Sequence, residues 1–214
     1  MVEAFFEDSG EGAAVRGFLH RGSSGDGLVI THGAGGNAGA PLLVSLAETF
    51  AGMGVTVLRC DLPFRQSRPH GPPPASAARR DREGLRAAVA ALRKIAPRRV
   101  FLGGQSYGGR QATIVASEDP ALADALLLLS YPLHAPQRPS DFRTAHFPAL
   151  RTPALFVHGT RDPFGSIEQI RDALTLIPAR TELLPVEGAG HDLAKKAKPA
   201  EIAAAFLRFI EATR

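Results

Sequence analysis

Tryptophan is absent from the 214 residues, and cysteine occurs once, as Cys60, beside two methionines and two tyrosines. A lone cysteine excludes an internal disulfide and a cysteine-built zinc site. It makes a reducing compartment, the cytoplasm, the expected setting. No apolar run reaches the length of about 18 residues that a membrane span needs, so no membrane insertion is expected. Residues 1–10 carry Glu3, Glu7 and Asp8 but no basic side chain, unlike a secretory signal. Acidic residues are scarce between positions 59 and 110, where 12 Lys and Arg face 3 Asp and Glu in a chain of net charge +4. Such an excess can steer an anionic substrate or an acidic partner. No aromatics interleave with these charges as single-strand binders require, so a solvated helix face is the plainer reading and nucleic-acid binding is not expected.

What is present is ordinary for a globular chain: 44% hydrophobic and 21% charged residues. A chain this long buries roughly 70% of its unfolded surface, and residues 1–214 are expected to form one domain without disulfide, metal or organic cofactor. Short apolar runs at 27–31, 55–59, 99–103, 125–130, 154–158 and 181–186 read as strands. Helical patterns occupy 41–52, 77–96, 107–117, 166–177 and 199–212, and one or two antiparallel edge strands are expected within 5–20. The proline-rich stretch 65–78 reads as an ordered loop. Strands alternating with helices imply a mostly parallel sheet covered on both faces, with ligands beyond the carboxyl ends of the strands.

Gly104-Gln105-Ser106-Tyr107-Gly108 matches G-x-S-x-G, a weak pattern by itself. Here a strand runs into it and a helix leaves it, the setting of a strained turn that lifts a serine hydroxyl above a sheet. Side chains in place of Gly104 and Gly108 would collide with the turn and the neighbouring strand. A serine needs a base. His191, in GAGHD after the 181–186 strand, has the position and room that the other histidines lack. The base needs an acid, and Asp162 in GTRDPFG follows the 154–158 strand; its competing role is a cap for the next helix. The order Ser106, Asp162, His191 is that of α/β-hydrolases. The loop His32-Gly33-Ala34-Gly35-Gly36-Asn37 supplies the oxyanion hole, with the backbone N–H groups of Ala34 and Tyr107 as donors. It has neither a G-x-G-x-x-G spacing nor a Walker lysine, which argues against a nucleotide.

With these four segments, the chain resembles a small α/β-hydrolase over nearly its whole length. It is most similar to the dienelactone-hydrolase-like group, and to a branch of uncharacterised hydrolases with Leu62-Pro63-Phe64 and a Ser130-Tyr131-Pro132-Leu133-His134 segment. The resemblance implies the hydrolase fold and the triad. Dienelactone hydrolase has cysteine where Ser106 stands, a departure that favours esterase-like chemistry. Only about 20 residues, 131–152, separate two strands where larger relatives insert a cap, so an open site for a small-molecule ester or thioester is expected. Phe64, Tyr107, Leu133 and Phe164 are candidates for an apolar wall, and Arg65, Arg68, His70 and His134 for contact with a carboxylate. Asp192 is expected to be exposed, and Cys60 to pack at a strand end. The alternative from another class is a noncatalytic hydrolase-fold module for protein interaction.

Overall fold

The computed structural model describes residues 2–8 and 13–212. The chain runs β1 (Val2–Glu7), β2 (Val15–His20), β3 (Asp26–Thr31), α1 (Pro41–Gly52), β4 (Thr56–Asp61), α2 (Pro63–Ser67), α3 (Ala77–Ile95) and β5 (Arg99–Gln105). It continues through α4 (Tyr107–Glu118), β6 (Leu126–Leu129), a 3-10 turn (Phe147–Ala149), β7 (Ala154–Gly159), α5 (Ile167–Leu174), β8 (Thr181–Val186) and α6 (Pro199–Glu211).

The leucine- and valine-rich runs of β3, β6 and β7 are buried at every position. Such strands need cover on both faces, which parallel pairing with crossover helices provides. Successive side chains point to opposite faces. Leu28 and Ile30 of β3 pack with α1 and α6 through Leu43, Leu46, Phe206 and Phe209. Val29 between them belongs to the core on the opposite face, which α3, α4 and α5 cover. The sheet has eight strands in the order β1-β2-β4-β3-β5-β6-β7-β8. β1 with β2 and β2 with β4 are antiparallel, and the remaining pairs are parallel. This is the α/β-hydrolase fold that the sequence implies.

Strand order decides where a ligand can sit. From β3 the chain moves outward to β4, then returns to β5 on the other side of β3. The connections after β3 and β5 therefore diverge and leave a crevice at the strand carboxyl ends.

Most element boundaries fall within two residues of the sequence reading, and the exceptions have local causes. The expected loop 65–78 begins inside a short helix, because Pro63 at the first helical position presets φ for α2. The expected helix 166–177 ends at Leu174. The fourth of the expected strands stops before Ser130, whose φ of 49° lies in the left-handed region. Two antiparallel strands form near the expected 5–20: β2 lies within it, while β1, the edge strand, begins earlier at Val2, and residues 9–12 lie outside the described residues. Between β6 and β7 only the 3-10 turn is regular, so no large cap covers the sheet end. No helix among the described residues is long and apolar enough to cross a membrane.

Part of the basic stretch 59–110 is paired within the protein. Arg98 and Arg99 pair with buried Asp26, Arg82 and Arg86 pair with Glu118, and Arg79 pairs with Glu83.

Candidate active site

β5 runs into the G-x-S-x-G turn, and Ser106 stands between strand and helix with φ 50° and ψ −115°. A left-handed backbone is costly for serine and persists only where its surroundings impose it. Those surroundings are the two glycines. A Cβ on Gly104 would lie 2.6 Å from the Gly108 carbonyl carbon, and one on Gly108 would lie 2.5 Å from the His32 oxygen.

His191 follows β8 and Asp162 follows β7. Arg161 N–H donates to the Ala189 carbonyl at 2.8 Å, and Gly188 N–H donates to Thr160 Oγ1 at 2.9 Å, which ties the two loops together. His191 Nδ1 lies 2.8 Å from Asp162 Oδ2 and 3.0 Å from Oδ1. His191 Nε2 lies 2.8 Å from Ser106 Oγ. An ionised carboxylate only accepts, so Nδ1 carries the proton, Nε2 accepts, and the serine hydroxyl donates. Asp162 is fully buried and also accepts the Phe164 N–H at 2.8 Å. It is not the cap of α5, because Ser166 holds that position in a capping box with Gln169. The Phe164 ring lies 4.0 Å, centroid to centroid, over the His191 imidazole.

The loop after β3 faces the same point. Gly36 N–H donates to the Gly33 carbonyl at 3.1 Å, closing a turn whose second residue is Ala34. Among the described residues the Ala34 and Tyr107 N–H groups donate to no protein acceptor, and Tyr107 N–H is one of the free donors at a helix start. Both residues line one cleft of about 510 Å³ with Ser106 and His191. The sequence-predicted set of Ser106, Asp162, His191, Ala34 and Tyr107 therefore converges at one rim of the sheet.

Several expectations about the surroundings need correction. Arg65 is not free for a substrate carboxylate. It is buried, and its guanidinium donates to the carbonyls of Gly36 at 2.7 Å, Ala34 at 2.8 Å, Arg68 at 2.8 Å and Gly71 at 3.0 Å. Pulling the Ala34 and Gly36 carbonyls one way turns the peptide dipoles of that loop. His134 is also buried, with Nδ1 3.1 Å from the Ala135 oxygen and Nε2 3.3 Å from Gln169 Oε1. Arg68 and His70 are exposed and line no part of this cleft. Phe64 and Leu133 belong to the core, whereas Tyr107 and Phe164 do line the cleft. Asp192 is exposed as expected. Cys60 is buried, and burial pushes its thiol up to about 12, so it stays protonated.

Sequence reasoning missed the residues that brace the site. His32 is buried at the end of β3. Its Nδ1 donates to the Gly33 carbonyl at 2.8 Å and its Nε2 accepts the Leu62 N–H at 3.1 Å. Burial holds it below the usual histidine range, and the neutral ring suits both bonds. The Tyr107 hydroxyl donates to Asp81 Oδ2 at 2.7 Å, and Asp81 Oδ1 accepts the Phe64 N–H at 3.0 Å. Behind Asp162, His158 Nε2 donates to the Gly165 carbonyl at 2.8 Å and lies 3.6 Å from Asp162 Oδ2. Arg110 and Arg143 line the cleft as well. Arg110 was legible in principle, since it lies one helical turn after Ser106.

Fold and site together define an α/β hydrolase. The alpha/beta hydrolase domain family matches residues 25–209, and the chain belongs to that family. Solved structures agree on the fold. An α/β serine hydrolase homologue from Coxiella burnetii is 18% identical, with a TM-score of 0.76 over 96% of each chain. Dienelactone hydrolase from Anabaena variabilis is 21% identical, with a TM-score of 0.74 over 99% of this chain and 95% of that one. A lidless α/β serine hydrolase from Xanthomonas campestris is 17% identical, with a TM-score of 0.72 over 99% of this chain and 94% of that one. At such identities the likeness establishes the fold alone.

Proposed function

We propose that residues 1–214 form a single serine hydrolase domain that cleaves a small ester or thioester through an acyl-enzyme. The observation that carries this reading is the unbroken hydrogen-bond chain from Ser106 Oγ through His191 to Asp162, with both links at 2.8 Å. Ser106 Oγ attacks the scissile carbonyl carbon, and its proton passes to His191 Nε2. The carbonyl π pair moves to oxygen, where the N–H groups of Ala34 and Tyr107 receive the charge; one such donor contributes about 3–4 kcal/mol. The oxyanion collapses, the bond to the leaving oxygen or sulfur breaks, and His191 protonates that atom. Water then repeats the sequence, with His191 as base, and releases the acid. Asp162 stabilises the imidazolium and stays ionised. No step calls for a metal or an organic cofactor. The single buried cysteine suits a reducing, cytoplasmic setting.

Labelling with a fluorophosphonate probe tests the nucleophile. The wild type is expected to label and Ser106→Ala not to label. Turnover of a short p-nitrophenyl ester is expected to fall by about four orders of magnitude or more in Ser106→Ala and His191→Ala. Equal labelling of wild type and Ser106→Ala would leave a noncatalytic module as the better reading.

A further inference from the structure

A guanidinium withdrawn from water needs a partner. Among the described residues, buried and half-buried arginines generally have one. Arg82 and Arg86 pair with Glu118, Arg99 pairs with Asp26, and Arg59 and Arg65 donate to backbone carbonyls. Arg110 and Arg143 are half-buried, and among the described residues they make no ion pair and neither guanidinium donates a hydrogen bond. Arg110 Nε is buried with no hydrogen-bond partner among the described residues. Both side chains line the cleft that holds Ser106 and His191, and no carboxylate lines it with them.

The two cations also act on each other. Arg143 is held below the usual arginine range, first by burial and then by the like charge of Arg110. Exposed Asp141 attracts Arg143 but forms no ion pair with it. His146, which accompanies them, is lowered to about 4 by burial and by Arg110, and at neutral pH it leaves their charge undiminished. The remaining wall includes Pro72, Pro73, Pro132 and Phe164. The cleft therefore combines an apolar stretch of wall with two unpaired cations, an arrangement suited to a small ligand with one anionic end.

We propose that Arg110 and Arg143 form a carboxylate-binding subsite, so that the substrate is an ester bearing a free carboxylate at one end, such as the half-ester of a small dicarboxylic acid. The proposal rests on the serine hydrolase reading for the scissile end and supplies recognition at the other. The carboxylate takes the donors that Arg110 and Arg143 leave unused, and its charge relieves their mutual repulsion.

The test compares kcat/KM for mono-p-nitrophenyl adipate and for its neutral methyl-capped counterpart in wild type, Arg110→Gln and Arg143→Gln. The wild type is expected to prefer the anionic ester. Each substitution is expected to lower the anionic-to-neutral ratio by roughly 10–100-fold, the loss of a hydrogen bond to a charged group. Fluorophosphonate labelling of each variant reports that its active-site geometry survives. Free adipate binding to Ser106→Ala, measured by calorimetry, supplies a readout independent of turnover, and adding Arg143→Gln is expected to abolish it. A wild type that prefers the neutral ester, or a ratio that changes by less than about twofold in both variants, overturns the subsite and leaves the hydrolase reading standing. Adipate binding that needs Arg143, in a protein that neither labels nor turns over either ester, supports the subsite and overturns the hydrolase reading.

Discussion

Tyr107 shows how one residue serves two purposes through different atoms. In the proposed mechanism its backbone N–H is an oxyanion donor, while its hydroxyl is committed to Asp81 in the protein interior. Burial raises the Asp81 carboxyl above its usual range even though the Tyr107 and Phe64 donors oppose that shift. Removing the hydroxyl leaves a buried acceptor short of a partner. Tyr107→Phe is therefore expected to lower unfolding stability by about 1–3 kcal/mol, read as a lower denaturation midpoint with an unchanged slope. An unaltered midpoint would mean that the Asp81 contact contributes nothing net. Nothing in the string pairs Tyr107 with Asp81, because the two stand on different helices, α4 and α3.

The loop after β3 carries the sharpest test of how an element is held in register. A glycine-rich segment has little intrinsic preference for one shape. Arg65, on α2, supplies the missing constraint by binding four carbonyls, those of Ala34 and Gly36 among them. It touches no reacting atom, so it acts as a positioning residue. Under the proposed mechanism, Arg65→Gln costs the oxyanion donors their aim, and the oxyanion exists only in and near the transition state. The expected result is a fall in kcat of roughly 10–100-fold with little change in KM, partly recovered in Arg65→Lys. A rise in KM with kcat preserved would instead assign Arg65 to ground-state binding. The sequence offered the loop as an oxyanion element and Arg65 as a substrate contact. Arg65 lies near the loop only because β4, which leads into α2, pairs with β3.

Across the whole molecule, buried and half-buried histidines contribute to the response to acid. His20, His32, His146 and His158 are all held below the usual histidine range, with burial the leading cause in each. The unfolded chain takes up protons on them near its ordinary value of about 6.5, whereas the folded protein resists until lower pH. Their contribution to stability is therefore complete above about pH 6.5 and is lost as pH falls. For His146 the loss extends to about 4. Denaturant titrations are expected to show falling stability between pH 7 and 4, with a shallower decline in His146→Gln. Stability that stays level over this range would contradict neutral burial of these rings.

The sequence alone determined what local chemistry dictates. A strand, a glycine-flanked serine and a helix mark the strained turn at Ser106: the clash at Gly104 arises within a few residues of it, whereas the one at Gly108 is with His32, which the sheet brings alongside. Alternating apolar runs and helical patterns specify a covered parallel sheet, since burial on both faces leaves few other arrangements. The grouping of Ser106, Asp162 and His191 rested on their places after the strands that became β5, β7 and β8. Tertiary structure decided the rest. Strand order brought His158 behind Asp162, locked Arg65 onto carbonyls and left Arg110 and Arg143 unpaired in one cleft. Those outcomes depend on which distant groups compete for each donor and on how much water each retains, and both are set only when the sheet has closed its neighbours around them.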